Sequence, residues 1–350
     1  MTSCLPRPIV HPALGLFLVF FAAILPGRAG DTILGYCLRP GDNHRGIPLV
    51  RTALYTGTVA SVDASRFRIQ DHSFPPIQAR NLTAWGREPC YLEIESCPAD
   101  RTLEGERWEV DTGKSLTMPG FFALKAEPWN TRSDLPPALA GASYSIRNHW
   151  TVEALLPPVP ESDVLRASCP DQADQIAIFD PSQKRGFRIF FARGTGPGAV
   201  WSWEPVGITA PISRTIPPGA GWCFQREANR NLNLVLSGQT RGCALRIPLR
   251  QGSNLIAPGL DRSVSLRHFA VGPANGFRGH TQAGLADRIS LFRGESVNTF
   301  ALLTQPAAGW VSLRSLNGVD PEFAMQVRPD DAVQIFKIQA DLDFVVPLLP

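Results

Sequence analysis

The sequence predicts an all-β protein with two related β-sandwich-like repeat units and a small β-barrel-like domain inserted in the first unit. Apolar residues alternate with a period of two along most of the chain, as they do in strands that bury one face. The 350 residues include 30 Gly and 32 Pro, which suit turns between short strands rather than helix interiors. A series of strand-like segments also occurs twice, with an offset of 113 residues at its start and 111 at its end.

The N-terminus has the layout of a secretory signal peptide. Arg7 precedes an unbroken apolar run of thirteen residues, Ala13–Leu25, and a proline ends that run. Gly27 and Ala29 then place small residues at positions −3 and −1 of a cleavage site after Ala29. Because a membrane-spanning helix needs roughly 20 apolar residues, we expect residues 1–29 to be removed on export.

The expected mature chain begins near Gly30 and is almost neutral. The whole sequence has a formal net charge of +3, and the loss of Arg7 and Arg28 lowers it to +1. Such a charge gives no electrostatic reason to bind nucleic acid. We therefore expect a protein of the periplasm, the cell surface or the extracellular space, without cofactor and without an integral membrane segment after cleavage.

Six cysteines remain after cleavage, and an even number in an exported protein permits disulfides. The sequence leaves the pairing open among Cys37, Cys90, Cys97, Cys169, Cys223 and Cys243. The pair Cys90 and Cys97 is disfavoured because the segment between them alternates like a strand. Seven extended steps cover roughly 23 Å, whereas a disulfide holds Cα atoms about 4.4–6.8 Å apart.

The period-two segments predict fourteen strands, separated by turns rich in Gly, Pro, Asp and Ser. They are Thr58–Val62, Phe67–Gln70, Tyr91–Glu95, Trp108–Asp111, Ser143–Arg147, Gln175–Phe179, Phe187–Ala192, Val200–Glu204, Gly221–Arg226, Leu232–Ser237, Arg288–Phe292, Thr299–Thr304, Trp310–Arg314 and Ala332–Ile338. Thr151–Leu156 and Glu161–Arg166 have room for a helical turn or two each. No window has the 3.6-residue period of a long helix.

The internal repeat consists of four pairs of matching segments. Asp174–Phe179 matches Asp287–Phe292, Phe187–Phe191 matches Thr299–Leu303, Trp201–Trp203 matches Trp310–Ser312, and Ile216–Phe224 matches Val327–Ile335. Each unit is thus a run of strands with similar turns between them, which is the sequence signature of a duplicated structural unit.

The repeat also predicts an insertion. In the second unit Asn254–Pro258 is followed within ten residues by Val264–Phe269, whereas the matching segments of the first unit, Arg45–Leu49 and Trp150–Leu155, are about a hundred residues apart. Insertions are tolerated where their two ends lie close together. We predict a signal peptide at 1–29, a first unit at 30–56 plus 148–246, an inserted β domain at 57–147 and a second unit at 247–350.

Six short motifs occur in a fixed order along the chain. They are G-T-V-A-S-V at 57–62, W-T-x-x-x-L-x-P at 150–157, D-Q-I-x-x-F-D at 174–180, I-P-P-G-x-G-W at 216–222, L-R-x-P-L at 245–249 and N-L-I-A-P at 254–258. Over most of residues 33–340 the chain resembles a family of uncharacterised exported β-rich proteins, found as paralogues in verrucomicrobial bacteria. The resemblance implies export and a β fold. It implies no functional residue, since that family has no assigned activity.

Few residues are arranged as chemistry would require. Gly194-x-Gly196-x-x-Ala199 has the spacing of a dinucleotide-binding loop, but a strand-like segment follows where that site needs a helix. We interpret it as a hairpin loop. Asp174 and Asp287, which precede matching strands, are interpreted as turn-forming residues.

The acidic residues and histidines also lack the spacing of known sites. Glu93 and Glu95 share one face of one strand, which we interpret as its solvated face rather than a glycosidase pair. No calcium loop, H-E-x-x-H motif or nucleophile elbow occurs. We therefore assign no catalytic, cofactor-binding or metal-binding residue.

Eight tryptophans are numerous for this length. They are Trp85, Trp108, Trp129, Trp150, Trp201, Trp203, Trp222 and Trp310. Exposed indole rings could stack on sugars, but packing between sheets is our preferred interpretation.

The sequence favours an exported structural or cell-envelope protein of unknown specific role, and it leaves the partner open between a glycan and another envelope protein. The alternative is an extracellular binding module for glycan or protein, which a cluster of exposed Trp and Tyr on a concave face would favour. A distant alternative is a hydrolase with a scattered triad. It would need His149, His268 or His280 within about 3.2 Å of both a Ser or Cys and a carboxylate.

The export signal gives a first testable prediction. When the full chain is produced in a secreting bacterium, the exported form should begin at Gly30, because cleavage follows Ala29. Intact-mass spectrometry and N-terminal sequencing measure this, with the cytoplasmic precursor as control. An exported form that kept the apolar run Ala13–Leu25 would contradict the prediction.

Overall fold

The structure is a computed structural model. It describes residues 32–348 except 73–87, 118–119, 161, 184–185, 195–200, 208–211, 270, 294–295, 306–307, 314–324 and 340. The predicted signal peptide, Trp85 and most of the loop Gly194–Ala199 therefore lie outside the described residues.

Twenty-four strands lie within the described residues. They are β1 (Thr32–Leu38), β2 (Gly41–Arg45), β3 (Ala53–Asp63), β4 (Arg68–Asp71), β5 (Cys90–Ser96), β6 (Arg107–Val110), β7 (Phe121–Lys125), β8 (Ser143–Asn148), β9 (Trp150–Thr151), β10 (Gln175–Phe179), β11 (Phe187–Arg193), β12 (Ser202–Pro205), β13 (Thr215–Ile216), β14 (Trp222–Arg226), β15 (Leu232–Gly238), β16 (Leu245–Leu249), β17 (Gly252–Ile256), β18 (Val264–Ser265), β19 (Arg288–Arg293), β20 (Ser296–Leu303), β21 (Gly309–Ser312), β22 (Gln326–Val327), β23 (Val333–Lys337) and β24 (Leu342–Val346).

Helices are short, and the predicted all-β class is confirmed. Two α-helices are described, α1 (Thr112–Leu116) and α2 (Val152–Leu155), and the longer has five residues. The seven described 3₁₀ turns are Ala64–Arg66, Arg101–Leu103, Pro137–Leu139, Pro170–Gln172, Leu266–His268, Pro273–Asn275 and Ala283–Leu285. Helix α2 occupies the helical turn predicted near 151–156. Residues 162–166 form no helix, so the second expected turn is wrong over those residues.

Six strands form a closed barrel in the order β3-β4-β7-β6-β5-β8. Leu92, Trp108 and Tyr144 lie in its core, fully buried. Closure pairs the first strand with the last, and Ala53 of β3 lies opposite Arg147 of β8. The chain therefore enters and leaves the barrel at one place, as an insertion requires. Strand β3 begins four residues before position 57, because Leu54 already packs against the barrel core.

The first sandwich packs a five-stranded sheet, in the order β12-β11-β10-β14-β2, against the two-stranded ribbon β1–β15. Phe190 and Trp222 of the sheet share one core with Leu38 and Leu234 of the ribbon. The pair β9–β13 is a further two-stranded sheet. Its residues Trp150 and Ile216 contact the same core.

The second sandwich has the same arrangement. Its sheet has the order β21-β20-β19-β23-β17, its ribbon is β16–β24 and its short pair is β18–β22. The first two strands of the second unit pair in a different register from the one that the sequence match implies. Ile176 lies opposite Phe190, but its counterpart Ile289 lies opposite Phe300 rather than Leu302. The reason is a shorter connection between β19 and β20 than between β10 and β11.

The turn that enters each sheet contains an asparagine with the same bonds. The Nδ2 atom of Asn43 donates to the carbonyl of Arg39 at 2.7 Å, and the Nδ2 atom of Asn254 donates to that of Arg250 at 2.7 Å. Each Oδ1 atom accepts from the amide of the same arginine, at 2.9 and 2.8 Å. The shared pattern L-R-x-G-x-N, at 38–43 and 249–254, was visible in the sequence but was not recognised.

Each sandwich also contains a buried ion pair that involves its repeated aspartate. Asp174 pairs with Arg226, and all of these charged atoms are inaccessible. The Oδ1 atom of Asp174 also accepts from the amide of Glu227 at 2.9 Å. In the second sandwich Asp287 pairs with Lys337 in the same way. The interpretation as local turn residues is therefore wrong, because these carboxylates join distant strands.

The two sandwiches contact each other reciprocally. The amide of Ala257 donates to the carbonyl of Gly219 at 2.8 Å, and the amide of Gly46 donates to that of Asp330 at 2.9 Å. These residues occupy matching positions in the two units, so each unit presents the same edge to the other. This is the arrangement of an isologous dimer interface within one chain.

Aromatic packing supports the same interface. The imidazole of His44 stacks on Phe292, with ring centroids 3.8 Å apart and planes 7° apart. At the matching place on the other side, Leu255 shares a buried cluster with Phe179. Burial lowers the pKa of His44, since the charged imidazolium is disfavoured there.

The buried ion pairs give a second prediction. The substitution Asp174→Asn leaves Arg226 buried without its counter-charge and should lower the free energy of unfolding by about 3–5 kcal/mol. Equilibrium urea unfolding measures it. The control is Asp163→Asn, which removes an exposed pair with Arg230 and should cost less than about 1 kcal/mol. Equal losses in the two variants would contradict the prediction.

Candidate functional site

One arginine of the barrel contacts both sandwiches. The guanidinium of Arg107 donates from Nη1 to the carbonyl of Pro218 at 2.7 Å and from Nη2 to the carbonyl of Arg246. Pro218 belongs to the first sandwich, and Arg246 lies on β16 of the second. Burial lowers the pKa of Arg107, since desolvation disfavours its charge. The bonds to two carbonyls offset part of that cost.

A buried ion pair adds to this junction. Glu93 of β5 pairs with Arg241, and their side chains are 2% and 6% exposed. Burial acts to lower the pKa of Arg241, but the Glu93 carboxylate outweighs it and raises the pKa. The interpretation of Glu93 as part of a solvated strand face is therefore wrong. Its strand faces the sandwiches, and its charge is neutralised from there.

A cleft of about 330 Å³ opens where the barrel meets the two sandwiches. The barrel contributes Trp129, which is half-buried. The first sandwich contributes Pro217 and Pro218, and the second contributes Ile247 and Pro248. Ligand pockets measure roughly 300–1,000 Å³ and combine apolar walls with a few polar groups. The cleft lies at the lower end of that range and has that composition.

Four of the five charged residues that line the cleft form two ion pairs. Lys125 lies 3.2 Å from Glu127, and Arg188 lies 2.9 Å from Asp180. Partial burial acts to lower the pKa of Lys125, but bonding to Glu127 outweighs it and raises the pKa. Burial lowers the pKa of Arg188. The remaining carboxylate is Glu109.

Glu109 is held by a histidine behind the cleft wall. The Nε2 atom of His149 lies 2.7 Å from the Oε2 atom of Glu109. The imidazole is fully buried, with its centroid 4.7 Å from the ring of Tyr91 and 5.2 Å from that of Trp129. The carboxylate is therefore fixed in position at the cleft wall, and its two oxygens have further acceptor positions.

Only part of the geometry that the hydrolase alternative requires is present in the described residues. Among the described residues, His149 is bonded to a carboxylate but not to a Ser or Cys. Cys90, whose strand begins near this site, has its pKa raised to about 12 by burial, so it stays a thiol at neutral pH. His268 is exposed, and His280 bonds the amide of Gln282. No triad forms around these histidines in the described part of the chain.

Other site types are also absent from the residues that the structure describes. No group of three or more His, Cys, Asp or Glu side chains could hold a metal ion there. The six cysteines predicted to permit disulfides are all free thiols, and Cys37 is exposed. No described helix is long and apolar enough to cross a membrane.

The tryptophans mostly serve the core. Trp108, Trp201, Trp203 and Trp222 are buried. Trp129, Trp150 and Trp310 are half-buried, so no cluster of exposed Trp exists in the described ranges. The Nε1 atom of Trp310 donates to the carbonyl of Val271, and Trp310 is not among the residues that line the cleft. Trp129 is therefore the described tryptophan that the cleft contains.

Comparisons with known protein families, with curated protein sequences and with solved structures found no match to this chain. The resemblance to the exported verrucomicrobial family therefore stays a prediction.

The junction gives a third prediction. Arg107→Met removes two charge-assisted hydrogen bonds, each worth about 1.5–3 kcal/mol, and should uncouple the barrel from the sandwiches. Calorimetry should then resolve two unfolding transitions in place of one. Arg132→Met is the control, since Arg132 forms an exposed barrel pair with Asp134. A single transition at the original temperature in the Arg107 variant would contradict the prediction.

Proposed function

We propose that the protein is an exported binding module whose ligand occupies the cleft between the barrel and the two sandwiches. The observation that carries the proposal is the cleft itself. It has a volume of about 330 Å³, an apolar wall that includes Trp129, and a carboxylate, Glu109, fixed by a buried histidine. Export rests on the predicted signal peptide.

The way the units are joined supports this proposal. Arg107 and the pair of Glu93 with Arg241 hold the barrel against both sandwiches, so the cleft walls come from separate parts of the chain but are tied together. A site whose walls are fixed before binding loses less conformational entropy when the ligand enters.

The two sandwiches also support a shared origin for the scaffold. Matching strand orders, matching asparagine turns and matching buried ion pairs all fit two copies of one structural unit. In this proposal the duplicated sandwiches are the scaffold, and the barrel completes the binding site.

A structural role in the cell envelope is the second candidate. The ribbon β1–β15 carries Ile33 and Val235 on its outer face, and each is 67% exposed. Within the described strands, β1 and β15 pair only with each other. Their outer edges therefore carry backbone groups that could pair with a strand of another envelope protein.

The binding proposal is tested by ligand-dependent stability. Any compound that binds only the folded state raises the unfolding temperature. At a free concentration 100 times its Kd, it adds about 2.7 kcal/mol to the free energy of unfolding. A library of sugars, amino acids, amines and organic acids should contain compounds that stabilise the protein but not its Trp129→Ala variant. Trp310→Ala, which changes a half-buried tryptophan outside the cleft, should keep the shift.

Two outcomes would refute a binding site in the cleft. One is that no compound of any class stabilises the protein. The other is that the Trp129→Ala variant, shown to be folded by circular dichroism, is stabilised by the same compounds to the same extent as the unchanged protein.

A further inference from the structure

We infer that the cleft binds a neutral saccharide of one or two sugar rings. This inference rests on the proposed function and names its ligand class. It is carried by the charge pairing of the cleft, by the nature of its walls and by the one carboxylate that is positioned to accept hydrogen bonds.

Charge pairing argues against an anionic ligand. Lys125 is neutralised by Glu127, and Arg188 is neutralised by Asp180. An anion would have to displace Glu127 or Asp180, and its gain would be reduced by the charge left unpaired. Neutral hydroxyl groups can instead bond to these ion pairs without separating them, because each carboxylate and cation has further acceptor or donor positions.

The walls match a molecule with apolar faces and a polar rim. Trp129 and six prolines line the cleft, namely Pro89, Pro128, Pro181, Pro217, Pro218 and Pro248. Proline and tryptophan side chains present flat apolar surface and lose little rotamer freedom on binding. A pyranose ring has C–H groups on its faces and hydroxyls around its edge, so it can use both kinds of surface at once.

Glu109 supplies the polar contact at the cleft wall. One of its oxygens is held by His149 at 2.7 Å, which fixes the carboxylate and leaves acceptor positions free on both oxygens. Adjacent sugar hydroxyls are paired donors at a spacing that suits one carboxylate. Hydrogen bonds to a charged acceptor are about twice as strong as neutral ones.

The size of the cleft limits the ligand. A volume of about 330 Å³ is near the lower bound of roughly 300 Å³ for small-molecule sites. It has room for one sugar ring or two and not for a long chain. A longer glycan would therefore bind through its end.

The test compares ligands that share a ring and differ in charge. N-acetylglucosamine and glucose are neutral, glucosamine is a cation and glucuronate is an anion. Mono- and disaccharides of each kind are titrated into the mature protein, with saturation-transfer NMR to detect contact and calorimetry to measure Kd. At least one neutral sugar should bind at least tenfold more tightly than its charged counterparts.

Variants connect this binding to the cleft. Trp129→Ala should weaken the neutral sugar at least tenfold, and Trp129→Phe, which keeps an aromatic face, should weaken it less. Glu109→Gln keeps the size of the side chain and a bond to His149 but removes the charge, and should weaken binding about tenfold. Trp310→Ala should leave the Kd unchanged.

The outcomes separate this inference from the proposed function. If glucosamine or another cation binds at least tenfold more tightly than the neutral sugars, and Trp129→Ala abolishes that binding, the saccharide inference is overturned and the binding site stands. Glucuronate binding at least tenfold more tightly than the neutral sugars would likewise overturn the saccharide inference without refuting the binding site. If none of the wider library binds, or if Trp129→Ala changes no Kd, both the inference and the proposed function fail.

Discussion

The docking of the barrel depends first on a buried guanidinium. Arg107 lies on a barrel strand, and its terminal nitrogens donate to two backbone carbonyls from different sandwiches. A buried charge is tolerated only with such partners, because its desolvation costs several kcal/mol. The position of the barrel is therefore set by the two carbonyls together with the buried pair of Glu93 and Arg241. The cleft is the space left beside them, since a barrel docked elsewhere would not face the proline turn at 217–218.

Each sandwich also contains a buried charge that is stabilised by a partner of opposite charge. A carboxylate before the central strand is paired with a cation on the neighbouring strand, Arg226 in one unit and Lys337 in the other. The carboxylates also bind backbone amides, so each fixes the ends of several strands together. Arginine and lysine differ in shape, and Lys337 uses its remaining donor capacity on the carbonyl of Gly276 at 2.8 Å. The two units therefore share the same kind of buried ion pair, although the cationic side chain differs.

Many strands with regular alternation could be predicted from the sequence because one face of each is buried, although β1 and β16 alternate as regularly and were not predicted. Strand β10 coincides with the predicted segment, and most other strong segments differ from the observed strands by one to three residues. Two-residue strands such as β13 and β18 were missed because so short a segment has no period. Strand β7, with the residues Phe121–Lys125, was missed because three consecutive side chains in it are buried and alternation is lost.

The candidate site could not be predicted in the same way. Glu109, Trp129, Asp180 and Ile247 line one cleft but lie on three units of the fold, and no local pattern joins them. Glu93 was assigned to a solvated face because alternation distinguishes the two sides of a strand but not which side meets another domain. Tertiary contacts decide which residue pairs with a buried charge, and the residues that neighbour it in sequence do not reveal those contacts.

The reciprocal interface between the sandwiches has a consequence for how binding preference could diversify. The two sandwiches present matching edges to each other, whereas the closed barrel occurs once in the described chain. The barrel supplies Trp129, Glu109 and Lys125, while the sandwiches supply mainly proline and aliphatic walls to the same cleft. If the proposed binding in the cleft holds, ligand choice would depend mainly on barrel residues, and the sandwiches would supply the duplicated scaffold. Exchange of the barrel's cleft-facing residues would then change ligand choice while the scaffold is kept, which would make this architecture modular in an evolutionary sense.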